Sequence, residues 1–75
     1  MKTNDFILEV RRLGYHIVVN GQRFFEIHKD NYTDTTIVGR LEVGNFKLTI
    51  DDYALGKLIL DYSFTPTMER GVCDY

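Results

Sequence analysis

The chain predicts a two-layer α+β domain: a four-stranded antiparallel sheet of two hairpins, with an N-terminal and a C-terminal helix on one face (α-β-β-β-β-α). Three observations predict it. Apolar and polar residues alternate through most of residues 15–50, as in half-buried strands. Two hairpin-turn dipeptides, Asn20-Gly21 and Gly44-Asn45, interrupt that stretch. On either side of it the apolar spacing changes to the helical period.

The first helix starts near Thr3 or Asn4, either of which can cap it. Asp5 and Glu9 come early and Arg11 and Arg12 late, which suits the helix dipole. Phe6, Val10 and Leu13 form one stripe with Ile7 beside it, Leu8 falls outside, and Gly14 supplies a left-handed stop.

The first hairpin, Tyr15–Lys29, admits two registers. A two-residue turn at Asn20-Gly21 pairs Val19 with Gln22 and Ile17 with Phe24. A bulged loop over Val19, Asn20 and Gly21 pairs Val18 with Gln22 and Tyr15 with Phe25. Only the second puts Tyr15, Ile17, Phe25 and Ile27 on one face, so the bulged register is preferred.

Asp30-Asn31-Tyr32-Thr33-Asp34 is a polar loop around one tyrosine, and loops held by rigid strands often carry binding residues. In the second hairpin, Thr35–Ile50, a Gly44-Asn45 turn sets Val43 against Phe46, Leu41 against Leu48 and Gly39 against Ile50. Ile37, Leu41, Val43, Phe46, Leu48 and Ile50 then face the core together.

Asp51 or Asp52 caps the second helix, where Leu55, Leu58, Ile59 and Tyr62 recur at i, i+3, i+4 and i+7. Gly56 inside it costs about 1 kcal/mol relative to Ala, and a close approach of helix to sheet is one reason to keep it. Thr65-Pro66 ends the helix; Thr65 can cap a further short turn with Pro66 at its first position. Residues 71–75 have no period and are expected to fray.

Composition narrows the function classes. At 75 residues the chain makes one small domain, of a size that buries roughly 60% of its unfolded surface. A net charge of −2 gives no basic footprint for nucleic acid. One cysteine, Cys73, cannot form an internal disulfide, and no apolar run spans a bilayer or marks secretion, so a cytoplasmic protein without a membrane role is expected. His16 and His28 have no third ligand beside them, so no metal is expected. No catalytic constellation or cofactor motif occurs: Asp51 and Asp52 serve as helix caps, and the glycines are too dispersed for a phosphate loop. The chain is therefore not expected to be an enzyme.

The uncovered side of the sheet is the candidate contact surface. In the predicted registers it carries His16, Val18, Phe24, Glu26, His28, Val38, Arg40, Glu42, Lys47 and Thr49. Val18, Phe24 and Val38 rimmed by Arg40 and Lys47, with Tyr32 in the adjoining loop, are the partner-binding candidates. A protein partner fits better than a nucleic acid, because Glu26 and Glu42 interrupt the basic rim. The alternative is single-stranded nucleic acid stacked on Phe24 and held by Arg40 and Lys47. A third expectation is a homodimer joined along a free strand edge.

Two stretches carry a resemblance. Asn4-Asp5-Phe6-Ile7-Leu8-Glu9-Val10-Arg11-Arg12-Leu13-Gly14-Tyr15 is a short helix running into a Leu-Gly-aromatic strand start. Leu58-Ile59-Leu60-Asp61-Tyr62-Ser63-Phe64-Thr65-Pro66-Thr67-Met68-Glu69-Arg70 is an apolar helix with a tyrosine, then Thr-Pro and a terminal Glu-Arg. Together, over about a third of the chain, they resemble small uncharacterised proteins of phages and prophages of Gram-positive bacteria. That resemblance implies an accessory protein that binds a host or phage protein, as an inhibitor among other roles, and carries no family catalytic residues. The element order more loosely resembles small prophage anti-CRISPR proteins that imitate DNA. Such mimicry needs clustered acids, and Asp51-Asp52 is the one adjacent acidic pair.

Overall fold

A computed structural model describes residues 1–21, 23–31 and 33–71. The elements are α1 (Thr3–Arg12), β1 (His16–Asn20), β2 (Phe24–His28), β3 (Thr36–Gly39), β4 (Phe46–Lys47), α2 (Tyr53–Ser63) and a 3-10 turn, Thr67–Glu69. The strands form one antiparallel sheet in the order β1-β2-β3-β4. The α+β class and the antiparallel four-stranded sheet are as predicted. Phe25 shows where the helices lie: its buried ring meets Phe6 of α1 and Tyr62 of α2, each with centroids 6.2 Å away. Phe6 and Tyr62 stack on each other at 4.3 Å. Both helices therefore cover the same side of the sheet.

Phe6, Ile7 and Val10 bury the predicted stripe of α1, Leu13 is half-buried, and Leu8 is exposed. Gly14 takes φ +91° and ends the helix as expected. The cap differs. Lys2 occupies the cap position without a side-chain bond, and Thr3 is already helical. Its hydroxyl is buried 2.9 Å from that of Tyr62, so a tertiary partner outweighs capping.

In the first hairpin Val18 faces Glu26 rather than Gln22, and the last pair before the turn is Asn20 with Phe24. The offset from the bulged register is four residues, an even number, so Ile17, Phe25 and Ile27 still share the core side. In the second hairpin the correction is larger. Val38 faces Phe46, whereas the predicted register places it opposite Asp51, an offset of five. An odd offset turns one strand over relative to its partner, here β3, while Phe46 and Ile50 keep the core side as predicted. Thr36 and Val38 therefore point into the core, Ile37 points away with Lys47, and Leu41, Val43 and Leu48 are exposed. Burying Thr36 is tolerable because its Oγ1 accepts from the Thr49 backbone N–H at 3.2 Å and lies 3.2 Å from Thr49 Oγ1.

Arg70 explains the wide loop that replaces the tight turn. It is buried, and all five of its N–H groups donate to backbone carbonyls: Nε to Thr65, Nη1 to Gly39 and Arg40, Nη2 to Glu42 and Ser63. Its guanidinium also lies 4.6 Å from the Tyr62 ring centroid. Three of these carbonyls belong to the chain leaving β3, which is drawn towards the end of α2 before it can reverse at Gly44-Asn45. Gly44, at φ +75°, adds a backbone bond to Ser63.

Asp52 caps α2 as predicted, accepting from the N–H groups of Ala54 and Leu55. Leu55, Ile59 and Tyr62 are buried. Thr65 does not cap the last turn: its hydroxyl donates back to the Asp61 carbonyl, and Pro66 takes the cap position. Of the expected frayed tail, residues 72–75 lie outside the described residues.

Candidate protein-binding face

Strand alternation determines what the uncovered side of the sheet displays. The cross-strand partners make three rows: Asn20, Phe24 and Gly39; Val18, Glu26, Ile37 and Lys47; His16 and His28. Val18 is exposed, and Phe24 and Ile37 are half-buried. Phe24 lies across from a glycine that has no room for a side chain. A Cβ on Gly39 would stand 3.0 Å from the Asn45 carbonyl oxygen and 3.2 Å from Asn45 Cβ. The result is an apolar triad, Val18, Phe24 and Ile37, around the carboxylate of Glu26.

Polar side chains are tied among themselves around this triad. Asn20 Nδ2 donates to Glu26 Oε1 at 2.7 Å, and Glu26 Oε2 lies 3.8 Å from His28 Nε2. His28 Nδ1 is 3.3 Å from Thr35 Oγ1, and His16 Nε2 is 3.1 Å from Asp30 Oδ1. The second of these anchors the start of the 30–34 loop to β1, with Asn31 in the left-handed region at φ +73°. At the same end of β1, on the core side, the Tyr15 hydroxyl donates to Asp52 Oδ2. That bond, with the N–H groups of Leu55 and Ala54 and the charge of Lys29, holds the Asp52 carboxyl below the usual range against the opposing effect of desolvation.

Of the sequence-derived candidates, Val18, Phe24 and Lys47 do share the uncovered side. Val38 does not: it is fully buried against the helices, because β3 is turned over. Arg40 also belongs elsewhere. Its guanidinium covers the core-side ring of Phe25 at 5.2 Å, and Nη1 donates to the Gly21 carbonyl. Thr49 bonds to core-facing Thr36, and Glu42 sits in the loop after β3. Tyr32 lies outside the described residues. Ile37, which sequence reasoning missed, takes the place given to Val38. The available signal was Thr36, which completes the alternation Thr36, Val38 against Phe25 and Ile27 once β2 and β3 are aligned.

Among the described residues no three His, Cys, Asp or Glu side chains converge as metal ligands. No described helix is long and apolar enough to cross a membrane. No protein-family model matches the chain, and no curated protein or solved structure matches it either.

Proposed function

We propose that this is an accessory protein of phage or prophage origin, non-enzymatic, that works inside a Gram-positive host by binding another protein, host or phage. The observation that carries the binding reading is the apolar triad Val18, Phe24 and Ile37 on a sheet covered on one side only. The resemblance in the opening and closing stretches supports the origin. Glu26, set between Val18 and Ile37, favours a protein over a nucleic acid, since a phosphate laid across the triad would meet a carboxylate. The position of Arg40 on the core side removes one of the two cations that a strand of nucleic acid would use.

Recovery from a Gram-positive host lysate tests the reading. Immobilised wild type is expected to retain a partner that a Val18→Asp, Phe24→Ala variant loses while keeping its far-UV circular dichroism. Equal recovery of every protein by both would exclude this face.

A further inference from the structure

The opposite side of the molecule carries a second apolar surface, on α2. Its eleven residues include only two charges, Lys57 and Asp61. A helix apolar on more than its core stripe is normally covered all round. Here Tyr53 is 80% exposed, Leu60 48% and Phe64, at its end, 59%. At about 100° per residue these three lie within roughly 40° of one another, turned away from Leu55, Ile59 and Tyr62. The patch continues sideways: the Phe64 ring meets Phe46 edge-on at 6.4 Å, and Leu48 closes a groove of about 500 Å³ along Gly56 and Leu60.

Gly56 is not required by the fold. A Cβ there would make only ordinary contact, 3.5 Å from Leu48 Cδ2, yet a helical glycine costs about 1 kcal/mol relative to alanine. Its missing side chain deepens the groove beside the stripe, which benefits an incoming chain and not this one.

We propose that this stripe is the interface of a two-fold homodimer, with α2 of each copy running antiparallel to the other. Charge complementarity selects a second copy as the occupant. Lys57 and Asp61 stand one turn apart at the border of the stripe, so an antiparallel copy sets each Lys57 against the other's Asp61, twice by symmetry. The area is of the right scale. A standard interface takes about 800 Å² from each partner, roughly a sixth of this chain's 4845 Å² surface. At about 150–250 Å² per aromatic side chain, Tyr53 and Phe64 alone expose roughly 200–350 Å², before Leu48, Leu60 and the flanking charges. The interface lies opposite the Val18–Phe24–Ile37 face, and its dimer leaves both copies of that face free.

Sedimentation of the full chain from micromolar to near-millimolar concentration tests this. Wild type is expected to reach a dimer, and Leu60→Glu to weaken association about tenfold or more with unchanged circular dichroism. Tyr53→Ser, at a largely exposed position whose ring carries the Lys57 ammonium 5.6 Å from its centroid, is expected to weaken it as well. Lys57→Asp and Asp61→Lys are each expected to weaken it, and the double exchange to restore it. A wild-type chain that stays monomeric overturns the proposal, as a face reserved for a different protein would require. So does a dimer indifferent to Leu60→Glu and to the charge exchange, which would place the contact at a strand edge.

Discussion

The two hairpins contain similar turn dipeptides and end differently. Asn20-Gly21 lies where the first one reverses, with Gly21 at φ +66° in open space. Gly44-Asn45 lies at the end of a wide loop that begins at Arg40. The first is closed by its own β1–β2 ladder, with Arg40 adding one side-chain bond to the Gly21 carbonyl. The second is held by a guanidinium about thirty positions away, on carbonyls that would otherwise enter a ladder. Turn propensities of a few tenths to about 1 kcal/mol decide a register only when nothing larger competes. Five charge-assisted hydrogen bonds, at roughly 1.5–3 kcal/mol each before the cost of desolvating the cation, are larger.

The sharpest way to break this comparison is to remove the guanidinium. Arg70→Met keeps the bulk and removes all five bonds, although the Ser63 carbonyl keeps the Gly44 N–H, and we expect a loss of about 3–5 kcal/mol, enough to unfold much of a chain this small. Arg70→Lys should rescue little, because an ammonium offers three donors without the planar fork. Urea denaturation measures the loss. Hydrogen exchange should show Gly39–Glu42 opening first, while the β1–β2 ladder persists wherever the variant stays folded. A variant as stable as wild type would mean that the wide loop closes for some other reason.

This asymmetry also explains what was legible in the sequence. The helices could be read because Phe6, Val10, Leu55, Ile59 and Tyr62 follow a period that any covering sheet satisfies. The core side of the first hairpin could be read because an even error in register preserves faces. In the second, Phe46 and Ile50 could be read but β3 could not, because Ile37, Leu41 and Val43 look like a better core strand than Thr36 and Val38 until β2 is laid beside them. Arg70 lies beyond a proline, at the end of a short turn, and no local pattern announces that it will be buried. The binding face inherited both outcomes: Val18 and Phe24 came from the hairpin read with the right parity, Val38 and Arg40 from the other.

Gly39→Ala sharpens the contrast at one atom. The added methyl would meet the Asn45 carbonyl oxygen at 3.0 Å, and both are backbone-held, because the Gly39 N–H donates to that same oxygen. Overpacking of this kind costs about 1–3 kcal/mol, and we expect a value near 2 kcal/mol in denaturant titration. Gly21→Ala, with nothing within 4 Å, should cost only the strain of its positive φ, about 1 kcal/mol. Equal losses at the two sites would show that the loop after β3 gives way as easily as an open turn.

The first hairpin has a long-range tie of its own, and it is weaker. Tyr15, at the start of β1, donates to Asp52 at the head of α2. Tyr15→Phe removes that one bond and leaves the backbone N–H groups of Ala54 and Leu55 on the carboxylate, so about 1 kcal/mol is expected at neutral pH. Acidity separates this contribution from packing. The Asp52 pKa is lowered in the folded chain, with the Tyr15 hydroxyl as the largest cause. The unfolded chain therefore takes up the proton first as pH falls. The stabilisation is present above the ordinary carboxylate value of about 3.8 and is lost as pH drops through the lower folded value. Wild type should lose its advantage over Tyr15→Phe across that acid window and keep it at neutral pH. A difference constant from neutral to strongly acid pH would assign the effect of the substitution to the lost hydroxyl's packing against β1, and the contact with Asp52 would then contribute nothing to holding the first hairpin against α2.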